Sequence, residues 1–246
     1  MKYLLCPPGF SGFLTAIYHS YYGHKDAAGF EPDTAARNFI DEYVPISDAP
    51  ALAHKVKDAI LEKGGADFYR DLYDAYRSGA ADREQTLADY IRLFFKRGLA
   101  VRTMYGDAAV VAFNDMLRKV RHEVHRLAGF VRFREMQNGA YYAYYSSDND
   151  IVDLLGLEFT SRFSTQAFVL HDYKRGKMCG YDGREMRLLP APAKVEIQLS
   201  ERERLFGSLW KQYHKNISVK GRENPRLQRG FLPKKYRHFM SEFDGE

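Results

Sequence analysis

Four side chains have the types needed for proton transfer. Glu123 and His125 lie in the run Arg121-His122-Glu123-Val124-His125, and His171-Asp172 is an adjacent pair. An acid and an imidazole exchange protons near neutral pH when both lie within hydrogen-bond reach of one substrate. The first run also invites a metal reading. It is not the His-Glu-x-x-His zinc helix, because only two residues separate its histidines. At about 100° per residue His122 falls nearly opposite the apolar stripe of its helix, with Arg121 and Glu123 on the two margins and His125 a little further out. The run therefore reads as the polar margin of a packed helix. His171-Asp172 follows a buried strand and precedes Lys174-Arg175. It reads first as a turn in which Asp172 bonds its own backbone, and second as an acid–base pair held rigidly at a strand end. Pro7-Pro8-Gly9-Phe10-Ser11-Gly12 carries neither a phosphate-loop nor a dinucleotide signature, and there is no nucleophile elbow or kinase motif set. Cys6 and Cys179 lack metal-type spacing, so no cofactor and no metal are expected.

A second chemistry is carried by charge. From Lys211 to Arg237 there are nine Lys or Arg and one acid, Glu223, a net of +8 in a chain whose total is +5. Three acids follow (Glu242, Asp244, Glu246), so residues 1–210 are close to neutral. The excess is local and interleaved with aromatics. Such a segment suits a polyanion, since each neutralised phosphate releases a counterion and aromatic faces stack on exposed bases. The nucleic-acid contacts expected there are Lys211, Lys215, Lys220, Arg222, Asn224, Arg226, Gln228, Arg229, Lys234 and Lys235, joined by Arg132, Arg162, Lys174 and Arg175. The alternative for Arg132 and Arg134 is pairing with acids such as Asp150 or Asp153. The stretch Arg126 to Phe133 partly matches the RNA-recognition signature, but Leu127 and Ala128 replace its Gly and first stacking aromatic.

The elements that must position these groups are legible as periodicity. Lys2 to Leu5 reads as a short strand stopped by Pro7-Pro8-Gly9, followed by a helix with Phe13, Leu14, Ile17, Tyr18, Tyr21 and Tyr22 as its apolar stripe. The Gly-Phe-Glu-Pro stretch from Gly29 reads as loop and Tyr43 to Ile46 as strand. Ser47-Asp48 caps a helix ending at Gly64-Gly65, and two more helices carry Phe68, Leu72 and Tyr76, then Leu87, Ile91, Phe94 and Phe95. Val110, Phe113, Leu117, Val120, Val124 and Leu127 step by 3, 4, 3, 4, 3, one buried stripe. Strands Gly129 to Glu135 and Tyr141 to Ser146 flank Asn138-Gly139, a hairpin signal. A helix through Leu155 and Phe159 leads to a strand pair, Ala167 to Leu170 and Lys177 to Tyr181. The last long helix opens with a capping box at Ser200 and Glu203 and is expected to bury Phe206, Leu209, Trp210, Tyr213 and Ile217. The fold class expected is α+β, a small, mostly antiparallel sheet covered by many helices in a single domain over residues 1–246. Its helical region runs from about 48 to 127, its hairpin-containing sheet region from about 129 to 190, and its basic helix and tail from about 198 to 246.

The order of these motifs resembles a bacterial family of unknown function grouped with DNA metabolism and DNA repair. The resemblance runs through Phe10-Ser11-Gly12-Phe13-Leu14, Arg121-His122-Glu123-Val124-His125-Arg126, Gly129-Phe130-Val131-Arg132-Phe133, His171-Asp172, Tyr181-Asp182-Gly183, Leu209-Trp210, Asn224-Pro225 and Pro233-Lys234-Lys235-Tyr236. It departs at Pro7-Pro8, Glu158 and Arg237. Membership implies work beside a radical-SAM protein of DNA modification or repair. Some members are fused to a uracil-DNA glycosylase module, which has no counterpart here, so glycosylase activity is not expected.

Two thiols in 246 residues make no disulfide framework, and no run reaches the ~18 apolar residues of a membrane span, so a cytoplasmic protein without a membrane partner is expected. Three functions fit. The first is a DNA-repair or modification accessory protein that binds DNA (or RNA) through its basic segment. The second is a nucleic-acid-processing enzyme using Glu123, His125, His171 and Asp172. The third is an adaptor for the radical-SAM enzyme, docking through Tyr141-Tyr142-Ala143-Tyr144-Tyr145.

Overall fold

A computed structural model describes residues 1–192, 195–217, 224–237 and 239–240. The chain divides into two compact units, 1–121 and 122–246, and one helix runs through the boundary.

The first unit begins with strand β1 (Lys2–Cys6), helix α1 (Gly9–Tyr22) and strands β2 (Gly29–Pro32) and β3 (Glu42–Pro45). β1 is central, with β2 and β3 parallel on either side, and Leu4 stands opposite both Phe30 and Val44. A parallel pair needs a crossover, and α1 supplies it between β1 and β2. Helices α2 (Pro50–Tyr76) and α3 (Arg83–Arg97), a short 3-10 turn (Gly98–Thr103) and the first half of α4 (Ala108–Phe130) complete the unit. Gly65, at φ 78° and ψ 175°, breaks α2 into two helical arms; only glycine adopts this conformation without strain. Phe68 on the second arm stacks on Phe94 at 4.1 Å, and Tyr90 on Phe113 at 3.7 Å. These rings, with Phe13, Ile17, Ile60, Leu72 and Val110, are buried as the core of this unit.

The second unit holds strands β4 (Arg134–Glu135) and β5 (Tyr141–Tyr145), helix α5 (Val152–Arg162), strands β6 (Phe168–Asp172), β7 (Lys177–Tyr181) and β8 (Met186–Pro190), then helices α6 (Glu201–Ile217), α7 (Pro225–Phe231) and α8 (Lys234–Arg237). The strand order is β4-β5-β6-β7-β8. β5 and β6 are parallel, joined through α5, and the other pairs are antiparallel. One face of the sheet packs under α5. Phe133, Phe159, Phe163 and Phe168 cluster there, and Leu170, Cys179, Tyr145 and Leu155 are buried.

The α+β class stands, but the sheet expectation is corrected. The described residues form two sheets, the first wholly parallel and the second mixed. The parallel pairings depend on the long-range crossovers through α1 and α5, for which no local sequence signal exists. Gly29-Phe30-Glu31-Pro32 is an edge strand rather than loop, a position where Pro is tolerated. α4 extends to Phe130, consuming the start of the strand expected from Gly129.

The cap of α6 forms as expected, with Glu203 N–H donating to Ser200 Oγ at 3.0 Å. The Glu203 carboxylate accepts instead from Glu135 N–H. The expected burial on this helix is also corrected, since Phe206, Leu209, Trp210, Tyr213 and Ile217 are 42% to 57% exposed. Periodicity records an amphipathic face, not the presence of something to cover it.

Gly156 on α5 marks the tightest helix–sheet approach, where a Cβ would stand 2.5 Å from Cys179 Sγ and 3.0 Å from Met186 Sδ. Gly156→Ala should therefore destabilise the second unit by about 1–3 kcal/mol, read as a lower urea midpoint with an unchanged slope.

Candidate functional site

Alternation along β5 and β6 sorts their side chains onto two faces. In the parallel register Tyr142 stands opposite Val169 and Tyr144 opposite His171, while Tyr145 stands opposite Asp172. Tyr142, Tyr144 and His171 therefore share the face away from α5. Tyr142 Oη and His171 Nδ1 are 2.7 Å apart. Burial pushes the Tyr142 phenol up to about 12 and lowers His171 from its ordinary value, the latter partly offset by the charge of Asp172. At pH 7 the phenol keeps its proton and the imidazole is neutral. Tyr142 donating to Nδ1 leaves the ring proton on Nε2.

These groups line a cleft of about 590 Å³ with Tyr173 and Lys174, bounded on another side by Ala191, Pro192, Val195 and Ile197. Tyr173 is 72% exposed and Lys174 is exposed. The cleft thus presents the exposed Tyr173 ring and Lys174 ammonium at its rim and the half-buried Tyr144, with Tyr142 and His171 buried at its base. This chemistry stacks on planar rings and attracts an anion at the rim. Among the described residues no group of three His, Cys, Asp or Glu is placed to hold a metal ion.

Behind the sheet the acids have a different duty. Asp172 is fully buried and accepts from Arg175 through both the backbone N–H, at 3.3 Å, and Nη1, at 3.1 Å. Burial raises its pKa and Arg175 pulls it back. Arg175 also donates to Ser147 O at 3.1 Å and Asp148 O at 2.6 Å. Glu123, buried on α4, meets the same segment. Oε1 accepts from Asp148 N–H at 2.9 Å and from Tyr236 Oη at 3.0 Å, while Oε2 accepts from Asn149 N–H at 2.9 Å and Nδ2 at 2.6 Å. Lys235 pairs with Asp148 and lies 3.9 Å from Glu123. Glu123 and Asp172 thus brace the 147–149 turn, one through its N–H groups and the other, via Arg175, through its carbonyls. A carboxylate with four donors is a structural anchor.

The four proton-transfer candidates are not brought together. His171 faces the cleft, Asp172 points to the opposite face, Glu123 is committed to the turn, and His125 is exposed on α4. Of the expected nucleic-acid contacts, Arg175 and Lys235 are tied to carboxylates. Arg162 is bonded to Ala128 O at 2.9 Å and paired with Glu158, and Arg132 donates to Gly129 O at 2.9 Å. The Asn224 side chain accepts from Leu227 N–H as the cap of α7. Lys174, Lys211, Arg226 and Lys234 are exposed. Lys220 and Arg222, and the side chains of Lys215, Gln228 and Arg229, lie outside the described residues. Nothing in the sequence by itself marks the cleft tyrosines Tyr142, Tyr144 and Tyr173 for ligand binding. The alternation in Tyr141 to Tyr145 was the available signal, but only the register with β6 pairs it with His171.

The second unit, its cleft and the end of the first fall within a recognisable family. The model for a domain of unknown function, DUF4130, matches residues 81–242, and the chain belongs to that family. No curated protein and no solved structure matches the chain. Among the described residues no helix is long and apolar enough to cross a membrane.

Glu123→Ala leaves buried N–H groups without acceptors and should cost about 3 kcal/mol, whereas His125→Ala on the exposed face should stay within about 0.5 kcal/mol; urea unfolding of the two variants measures the contrast. His171, favoured neutral in the fold, contributes stability that is present above its unfolded pKa and lost as pH falls through its lowered folded value. In an NMR titration its ring resonances should shift at lower pH than those of a model peptide, and wild-type stability should decline more than that of His171→Gln as pH drops below about 6.5.

Proposed function

We propose that this protein binds nucleic acid as an accessory factor in DNA repair or modification, holding an exposed base in the tyrosine–histidine cleft of its second unit. The observation that carries the reading is the cleft itself, with Tyr173 and Lys174 exposed at its rim, Tyr144 half-buried and Tyr142 and His171 forming its base. Every base has a π-face, so an aromatic slot takes unpaired bases with little sequence preference, each stack contributing about 1–3 kcal/mol. The exposed cations Lys211, Arg226 and Lys234, with the remaining Lys and Arg of the basic segment, would follow the sugar-phosphate. The resemblance noted in the sequence adds the radical-SAM partner. On this reading the second unit presents a strand, and the chemistry belongs to that partner.

The adaptor reading is favoured by a different surface. The exposed row of Phe206, Leu209, Trp210, Tyr213 and Ile217 on α6 is an apolar stripe of the kind that marks a protein contact. The tyrosine run Tyr141 to Tyr145 fits that role less well, because Tyr142 and Tyr145 are buried.

Single-stranded DNA should bind more tightly than duplex, and affinity should fall by about tenfold or more between 50 and 200 mM salt. Tyr173→Ala, at an exposed position, should weaken single-strand binding about tenfold at every salt concentration, while Lys174→Ala should flatten the salt dependence by about 0.7 in log–log slope. Fluorescence anisotropy with a labelled oligonucleotide reads both, and salt-independent affinity or two silent variants would sink the proposal.

A further inference from the structure

A second cleft, in the first unit and unrelated to the strand-presenting face, has the same kind of lining. The C-terminal end of α1 brings Tyr18, Tyr21 and Tyr22 against the first arm of α2 and against Phe95 of α3, around a cavity of about 540 Å³. The sequence places these tyrosines on the apolar stripe of α1, but the stripe ends at the surface: Tyr22 is 74% exposed and lies tilted against Tyr18 with ring centroids 4.6 Å apart. Tyr21 meets Phe95 edge-on at 5.8 Å. The result is an open aromatic wall rather than a filled core.

Two lysines of α2 stand over that wall. Lys55 Nζ lies 5.7 Å from the Tyr18 ring centre and Lys63 Nζ 5.5 Å from that of Phe95. Eight residues of helix separate them, about 12 Å along the axis, so they flank the cavity at both ends. Neither has a carboxylate partner among the described residues. The α2 acids Asp58 and Glu62 do not line the cavity, and its remaining lining is Ile17, Val56 and Ala59. An ammonium resting on an aromatic face instead of on an acid keeps its capacity for an anion.

We infer that this cleft binds a nucleoside phosphate, its heterocycle stacked on the Tyr18–Tyr22 wall and its phosphate held by Lys55 or Lys63. A planar ring answers the tyrosines, a negative group answers the lysines, and a cavity of this volume lies within the range that encloses a small ligand. The cavity's lining residues, except Phe95, precede the span matched by the family model, so the site belongs to the part of the chain that the family description does not reach.

The test is calorimetric titration of the full chain with 5′-AMP, with adenosine, with inorganic phosphate and with a hexamer of deoxyadenylate. AMP should bind with a dissociation constant below about 1 mM, and adenosine and phosphate each at least about tenfold more weakly, since either lacks half of the recognition. Lys55→Ala with Lys63→Ala should weaken AMP about tenfold, and Tyr22→Ala should also lower affinity. All three positions are exposed, so folding is retained. Lys174→Ala and Tyr173→Ala, in the other cleft, should leave AMP binding unchanged, which separates this site from that one. Hexamer binding that is lost in the lysine double variant, with AMP inert, would identify the nucleotide as part of a strand. Absence of binding by both AMP and hexamer, or binding indifferent to Lys55 and Lys63, overturns the inference.

Discussion

The parallel pairing of β5 with β6 is the constraint on which the second unit's chemistry depends. Side chains alternate along each strand, so one register decides which groups meet. With Tyr144 opposite His171, three polar aromatic groups come to the open face and Asp172 is driven to the closed one. A slip of one residue would turn His171 to the α5 face and Asp172 toward the cleft. The register is held by what lies behind it. Phe168, Leu170 and Cys179 must face α5, and Gly156 lets that helix approach. Packing on one side therefore determines the chemistry displayed on the other.

The same unit shows how charge is divided between structure and surface. Asp172 with Arg175, and Glu123 with the turn N–H groups, Tyr236 and nearby Lys235, are buried anchors on the 147–149 segment. In such a setting an acid needs compensating donors, because an uncompensated buried charge costs far more than a hydrogen bond returns. A group held by four donors is poorly suited to deliver or take a proton. This is why the acid–base candidates, plausible as residue types, are not brought together, and why Arg175, tied to buried Asp172, is committed to the fold. The cations left for a polyanion are those standing in water.

Much of the architecture was legible in the sequence because it follows from local rules. The 3-4 stripe of α4, the break at Gly65, the Asn138-Gly139 hairpin and the Ser200 cap each need only a few neighbouring residues, and each is found. What was not legible is non-local. Nothing near Gly29 or Phe168 announces a parallel partner, since such pairs form through crossovers. β8 is exposed along most of its length and lacks the buried alternation that marks a strand. The α6 stripe was read with the right period and the wrong surroundings. The site divides along the same line. His171 and Lys174 stand out as residue types and Tyr142 and Tyr144 only as part of a run, and their meeting is a property of register. Glu123 looked like a margin residue, and its buried role depends on Tyr236, 113 positions away.

Tyrosine is the residue that links the two clefts, and its chemistry explains why. A chain with 18 Tyr and 17 Phe has more large rings than its two units need to fill their interiors. Many Phe rings are committed inward, as in the Phe68–Phe94 stack and the Phe133 cluster, although Phe39, Phe206 and Phe231 are exposed. Tyr supplies walls that are apolar in body yet hydrated at the rim. An aromatic wall without acids nearby keeps lysines attracted to its faces rather than neutralised, as Lys55 is over Tyr18 and Lys63 over Phe95 in the first unit. Lys174 stands at such a wall in the second unit. An ammonium so placed is held loosely enough to turn toward an arriving phosphate, whereas one locked to a carboxylate must first break that pair. Stacking surface plus uncommitted cation is the minimal recognition element for a nucleotide. Among the described residues such walls occur on a helical framework in the first unit and on a sheet in the second.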